Sequence, residues 1–204
     1  AAVTGIDVHY LVVEEGVYSL DNHGISMEAV KFDATITDRQ NSWNGHLRAY
    51  ANNYTQPVVL GQVMTFNDPD FSTFWSRGAA STLAPSPTVL RVGMHVGKDS
   101  DTSRAAEQVG YVVIEAGLGT VDGLAYSAGI GGESIQGMDN SPPFSYSLSG
   151  LADASQAIAS QSGMNGNNGG WAVLFGSNSV SATQLTLAID EDQATTLERQ
   201  HIPE

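Results

Sequence analysis

VHYLVVEEG at residues 8–16 returns as VGYVVIEAG at residues 109–117. Both copies join β-branched and aromatic residues to a final Glu and Gly, which is typical of a β-strand because such side chains pack well on a pleated sheet. The lead-in to the second copy, Arg104-Ala105-Ala106-Glu107, is echoed by Arg199-Gln200-His201-Ile202-Pro203-Glu204. The pattern therefore predicts a unit that opens with the strand of a repeat and stops where a third copy would begin.

Further matches follow in the same order along the chain. Residues 55–58 match residues 155–158, at an offset of 100 that also pairs Met64 with Met164, Asn67 with Asn167 and Phe71 with Trp171. An offset of 95 then pairs Leu90, Val92 and Met94 with Leu185, Leu187 and Ile189. Ordered matches at a nearly constant offset predict two diverged copies of a module of roughly 100 residues.

The local pattern predicts an all-β fold. Apolar or β-branched runs at residues 58–64, 88–96 and 184–189 alternate with turn-forming clusters of Asn, Asp, Gly and Pro. Closely spaced strands with Gly-rich turns are typical of antiparallel sandwiches. We therefore expect two tandem β-sandwiches of the jelly-roll type: an N-terminal strand at residues 1–16, a first sandwich at 17–117, and a second at 118–204 that lacks its last strand.

Composition limits the classes of function. The formal charge is −14, with only eight Lys and Arg among 204 residues, and there is no Cys. Nucleic acid is not an expected partner, because phosphate neutralisation needs clustered cations. No apolar run approaches the ~20 residues of a membrane span. An acidic surface suits a secreted or cell-surface protein, so we expect an extracellular location.

Three segments together resemble the H-type-lectin-like β-sandwich modules of large secreted bacterial surface proteins. They are QPVVLGQV at residues 56–63, the turn NDPD at 67–70, and EQVGYVVIE at 107–115. The likeness covers about half of the chain directly. It implies a sandwich of six or seven strands, extracellular placement and possible sugar binding.

An enzyme is not expected. The five histidines lack the spacing of a helical zinc site, and the sequence contains neither a Gly-x-Ser-x-Gly elbow nor a P-loop. Gly129-Ile130-Gly131-Gly132 is predicted to be a flexible loop. No cofactor is predicted to be required.

Aromatic residues near polar loops are the candidates for sugar contact, because a ring face and polar neighbours commonly form such sites. Trp43 is the strongest of them, with Tyr50 and Tyr54 beside it in sequence. Trp75 and Trp171 are expected in the core. Asn53 opens a glycosylation sequon, which matters only in a host that glycosylates secreted proteins.

Oxygen-rich turns are candidates for binding Ca²⁺, which takes ~6–8 oxygen ligands. The candidate ligands are Asp99 and Asp101 in one turn and Asp190 and Asp192 in another. The alternative is that these residues only form turns through their own backbone.

The repeated strand leads to two hypotheses of function. In the first, the unit assembles head to tail, and a strand from about Ile6 to Glu15, with Val8, Tyr10, Val12, Val13 and Glu14, completes the neighbour's second sandwich. The strand would come from another chain or from the next repeat of the same chain. In the second, the unit is a lectin-like adhesion module that binds polysaccharide.

Glu14 and Glu115 are expected at strand ends, as partners of Arg104, Arg199 or backbone N–H groups.

Overall fold

The computed structural model describes residues 8–193 and 197–204. Its regular structure is almost entirely β, with a single four-residue helix in the described part of the chain. The elements in chain order are β1 (Gly16–Tyr18), α1 (Leu20–His23), β2 (Met27–Ala34), β3 (Thr37–Asp38), β4 (His46–Arg48), β5 (Pro57–Val63), β6 (Thr73–Arg77), β7 (Leu90–His95), β8 (Glu107–Glu115), β9 (Gly117–Val121), β10 (Leu124–Ala128), a 3₁₀ turn (Met138–Asn140), β11 (Phe144–Ser147), β12 (Gly170–Leu174) and β13 (Gln184–Glu191).

β8 is the longest strand and lies inside the first sheet, whose order is β1-β2-β8-β5. It pairs antiparallel with β2 on one side and with β5 on the other. Alternation along the strand turns Val109, Tyr111 and Val113 to the same face. That face is fully covered, with exposures of 0, 3 and 0%.

The second sheet is centred on β7, which pairs with β3, β4 and β6. Its apolar face packs against that of the first sheet. The shared core contains Ala34, Tyr54, Val59, Phe74, Leu90, Val92, Met94, Val109, Tyr111 and Val113. Two mainly antiparallel sheets therefore enclose one core in the first half of the chain, residues 8–117.

The second half, residues 118–193 and 197–204, has less regular structure. It contains a β9–β10 hairpin and a three-stranded antiparallel sheet of order β11-β13-β12. Its core is small, with Ile135, Leu187 and Ile189 as the fully buried members. Backbone hydrogen bonds join the halves, as where the N–H of Gly163 donates to the carbonyl oxygen of Ser76 at 2.9 Å.

The predicted all-β class is confirmed, and strands lie where residues 58–64, 88–96, 109–117 and 184–189 predicted them, within two or three residues. The N-terminal segment differs. A strand begins only at Gly16, and residues 8–15 belong to no sheet. A strand needs a partner for its backbone groups, and no sheet edge of the described chain pairs with this segment. Residues 1–7, including Ile6, lie outside the described residues.

Candidate functional site

Residues 8–15, which belong to no sheet, lie in front of β1 and are here called the leading segment. Val8, Tyr10 and Val12 are 74, 78 and 83% exposed. In an extended chain these alternate side chains share one side. A row of large apolar side chains in water marks a surface that suits a partner.

The corresponding positions of β8 have the opposite environment. Val109, Tyr111 and Val113 repeat the Val, Tyr, Val of the leading segment and are almost completely buried. Full burial of a large apolar side chain stabilises a fold by about 1.5–3 kcal/mol. Burial of the three exposed side chains of the leading segment would therefore contribute a further ~4.5–9 kcal/mol, roughly 1.5–3 kcal/mol each.

A few contacts hold the leading segment to its own chain. The backbone N–H of Ala157 donates to Nδ1 of His9 at 3.2 Å. Val13 is half-buried against a small cluster that includes Ile114, and the Tyr18 hydroxyl donates to the carbonyl oxygen of Glu14 at 2.6 Å. The segment thus rests beside the second half without entering a sheet.

Two stretches of the second half are candidate edges for an added strand. The β9–β10 hairpin pairs Gly117 with Ala128, and the β1–β2 hairpin pairs Gly16 with Ala29. β2 continues to Ala34 along β8, but residues 129–133 form no strand. Residues 153–160 also form no strand. In the described part of the second half, no strand pairs with residues 129–133 or with residues 153–160. In the first half, β8 pairs with both β2 and β5.

The main core cluster of the second half is smaller than that of the first. Three buried residues form its centre, against ten in the first half. Six further apolar residues of this cluster are only partly buried: Phe144, Tyr146, Ala159, Ala172, Leu174 and Leu185. A groove of about 270 Å³ runs past Ala159 and Ala172 on one side and Val63 and Phe74 on the other. Part of the apolar surface of the second half therefore lies along a crevice between the two halves.

Buried or half-buried carboxylates secure the backbone around β8. Glu107, at its start, pairs with Ala34 and accepts the backbone N–H of Asp68 at 2.8 Å. Glu115, at its end, accepts the backbone N–H groups of Thr55 at 2.8 Å and Gln56 at 2.9 Å. Of the partners expected for Glu115, the backbone N–H groups are confirmed.

Glu204 also binds backbone N–H groups through its carboxylate. Its carboxylate accepts the backbone N–H groups of Asn165 at 2.7 Å and Gly166 at 2.9 Å. Its own N–H donates to the carbonyl oxygen of Ile135 at 2.9 Å, and the N–H of Ile135 donates back at 3.2 Å. These hydrogen bonds hold Glu204 between Ile135 and the loop at residues 165–166.

The residues predicted to contact sugar do not form one site. Trp43 is half-buried, stacks on the His95 ring with centroids 5.1 Å apart, and lines a cavity of about 300 Å³ with Arg77 and Asn167. Tyr54 is 6% exposed in the core, and Tyr50 packs against it. Neither tyrosine lines the cavity. Trp75 is confirmed as a core residue at 1% exposure, whereas Trp171 is half-buried against Phe71.

The predicted calcium ligands face basic groups of the protein. Asp99 and Asp101 bind the Arg104 guanidinium at 2.8 and 3.5 Å, and Asp70 binds it at 3.1 Å. The N–H of Asp101 and the guanidinium hold the pKa of Asp99 below its usual range. A cation at this place would have to displace Arg104, whose side chain is 2% exposed.

The second pair of predicted ligands is divided between two partners. Asp190 lies 3.6 Å from a guanidinium nitrogen of Arg199, and Asp192 accepts the backbone N–H of Lys98 at 2.7 Å. Among residues 8–193 and 197–204, no group of three or more His, Asp or Glu side chains is arranged to hold a metal ion. Calcium binding stays a prediction.

One charged cluster was not expected from the sequence. Glu191 is buried, with one carboxylate oxygen 3.3 Å from Nζ of Lys98 and the other 3.7 Å from Nε2 of His201. Burial raises the pKa of the Glu191 carboxyl, and the charges of His201 and Lys98 oppose that shift. Lys98 is 93 positions from Glu191 and 103 from His201, so no local pattern could have joined it to them.

Comparison with protein-family models, curated proteins and solved structures found no match. In the described part of the chain, no helix is both long and apolar enough to cross a membrane.

Proposed function

We propose that this protein is a structural repeat unit of an extracellular surface assembly, in which the leading segment of one unit completes the open edge of the next unit's second half. The observation that carries the proposal is the contrast between Val8, Tyr10 and Val12, at 74–83% exposure, and the buried Val109, Tyr111 and Val113. The Val, Tyr and Val side chains pack into the core in β8, whereas the same three residue types are exposed to water in the leading segment.

The pairing of the strands supports the internal repeat on which this proposal depends. The parallel pair Thr37↔Met94 has a counterpart in the bridge Gly137↔Ile189, at offsets of 100 and 95. The antiparallel pair His46↔Val92 has a counterpart in Phe144↔Leu187. These two pairings are what supports the proposed repeat, in which β7 of the first half corresponds to β13 of the second.

An added strand would pair with the unpaired backbone groups of the proposed open edge and would cover its apolar side chains. Its backbone groups would pair with residues 128–133 and 157–163, and its apolar face would cover the half-buried residues of the second core. Because the donating segment and the accepting edge are different surfaces, the contact is heterologous and propagates unless the rotation closes a ring. The donor is a second chain or a neighbouring repeat, and the junction has the same physics in both cases.

Negative-stain electron microscopy tests the proposal on the purified 204-residue chain. Fibres or rings are expected from the intact chain and should vanish when residues 1–12 are deleted. A synthetic peptide with the sequence of residues 6–15 should bind the deleted variant, as measured by fluorescence anisotropy. Monomers from the intact chain, with no peptide binding at micromolar concentrations, would contradict strand addition.

Carbohydrate binding is the second candidate function, and the cavity beside Trp43 is the observation that favours it. Nε of Arg77 donates to the carbonyl oxygen of Trp43 at 2.7 Å, which fixes the loop that carries the indole ring. Asn41 and Asn167 line the same cavity, and the N–H of Asn41 donates to the carbonyl oxygen of Asn167 at 2.9 Å. An aromatic ring among amide groups is suited to a polyhydroxylated ligand.

A glycan array and affinity electrophoresis in polysaccharide gels test this second function. Retention that is lost in Trp43→Ala and kept in Trp171→Ala would support it. The absence of retention for the intact chain would remove it and would leave the assembly proposal untouched.

A further inference from the structure

The leading segment also carries an acidic residue, Glu14, near its end. Glu14 occupies the position that Glu115 has in β8, six residues after the matched Val. Glu115 accepts two backbone N–H groups, from Thr55 and Gln56, at the entrance to β5. Their counterparts at an offset of 100 are Ser155 and Gln156.

From this we infer that the leading segment enters a second copy of the chain in one fixed register, with the Glu14 carboxylate bound to the backbone N–H groups of Ser155 and Gln156. This inference rests on the proposed function and deepens it. Hydrogen bonds to a carboxylate are roughly twice as strong as neutral ones. Such a clamp distinguishes the correct register from a slip by two residues, which alternation alone would permit.

The pairs within the first sheet define the register residue by residue. Val113 lies opposite Val59, and Val112 lies opposite Ala29. Ala29 pairs with Gly16 and Ala128 pairs with Gly117, so Ala128 is the counterpart of Ala29. At the offset of 100, Ala159 is the counterpart of Val59. Val12 of one copy would then lie opposite Ala159 of the other, and Leu11 opposite Ala128.

The environment of the accepting residues agrees with this register. Ser155 and Gln156 are exposed, so their backbone is accessible to an incoming carboxylate. Ala159 is half-buried at the margin of the second core, where Val12 would cover it. In the single chain, Ala157 between them is contacted by His9, so the leading segment already lies beside the accepting stretch of its own chain.

Cysteine cross-linking tests the register, and the chain has no Cys of its own. Val12→Cys and Ala159→Cys, placed in separate chains with one chain size-tagged, should yield a tagged–untagged disulfide heterodimer under mild oxidation. Ala157→Cys is the matched control, because a diagonal neighbour lies about 7–8 Å away and exceeds the reach of a disulfide. The control yield should be at least fivefold lower.

Two outcomes would overturn the register in different ways. Cross-linking of Val12→Cys to Ala157→Cys in preference to Ala159→Cys would establish strand addition in another register, and the proposed function would survive. Cross-linking to neither, together with monomers in electron microscopy, would remove the register and the proposed function together. A Val59→Cys/Val113→Cys chain serves as the positive control for the chemistry within β5 and β8.

Charge-neutral variants test the carboxylate clamp. Glu14→Gln should raise the critical concentration for assembly about tenfold, because it loses two charge-assisted hydrogen bonds. Glu15→Gln makes the same change of net charge at the next residue, where β8 has Ala116, and should change the critical concentration less than twofold. Equal effects of the two variants would overturn the clamp.

Discussion

Replacing the same side chain at two matched positions, Val113 and Val12, separates folding from assembly. Val113 is 0% exposed in β8, and its replacement by Ala removes two buried methyl groups and leaves a cavity. The expected loss in the free energy of unfolding is about 2 kcal/mol. Val12 is 83% exposed, so Val12→Ala should change the stability of the single chain by less than about 0.5 kcal/mol.

The same two methyl groups become buried when the leading segment enters a neighbour. Val12→Ala should then weaken each junction by about 1.5–2 kcal/mol, which is about 10- to 30-fold in the junction's dissociation constant. Urea unfolding measures the first quantity and sedimentation velocity over a concentration series measures the second. Val17→Ala, at 52% exposure on β1, is the volume-matched control and should affect neither.

The result that would refute this reasoning is a Val12→Ala variant that assembles like the parent protein. A second refutation would be an equal loss of unfolding free energy in Val12→Ala and Val113→Ala, since Val12 would then be buried within its own chain.

Three further predictions follow from individual contacts. Burial lowers the pKa of His95 to about 4 from an ordinary 6.5, so the folded chain favours the neutral ring. The free energy of unfolding should therefore fall by about 1.4 kcal/mol per pH unit as the pH drops from 6.5 towards 4. Urea unfolding at several pH values should give a shallower acid slope in His95→Gln, and equal slopes would refute the assignment. Arg104→Gln leaves the Asp70, Asp99 and Asp101 carboxylates without their guanidinium partner. The free energy of unfolding should fall by about 2 kcal/mol or more. Millimolar Ca²⁺ should then raise the melting temperature of the variant and leave that of the parent unchanged. His9→Ala removes the contact with Ala157 and should shorten the lag before assembly in light scattering, whereas an unchanged lag would show that the contact does not restrain the leading segment.

Much of the fold could be predicted from the sequence because its signals are local. Alternation of apolar residues located β5, β7, β8 and β13, and Trp75 was correctly assigned to the core. The candidate site was only partly predictable. The repeat singled out the leading segment, but sequence alone could not show that Val8, Tyr10 and Val12 lie in water while their counterparts are buried.

The carboxylates show why local signals are insufficient for the rest. Asp99 and Asp101 have the spacing of a turn that binds calcium, and a spacing cannot reveal that Arg104 and Asp70 meet them in space. In the same way, Glu107 has no local mark of its role, because its partners lie about 40 residues earlier. Aromatic residues such as Tyr54 looked suitable for sugar contact because burial is set by packing and not by neighbours in sequence.

The sequence by itself determined the β class, the acidic surface and the repeated strand motif, since alternation, charge and internal similarity are properties of the chain. Only the tertiary structure decided which copy of that motif is covered. β8 has β2 and β5 beside it and a second sheet above its apolar face, whereas the leading segment has neither in the described chain. The physical reason is that a strand is completed by partners distant in sequence, and the same residues remain exposed where those partners are not in place.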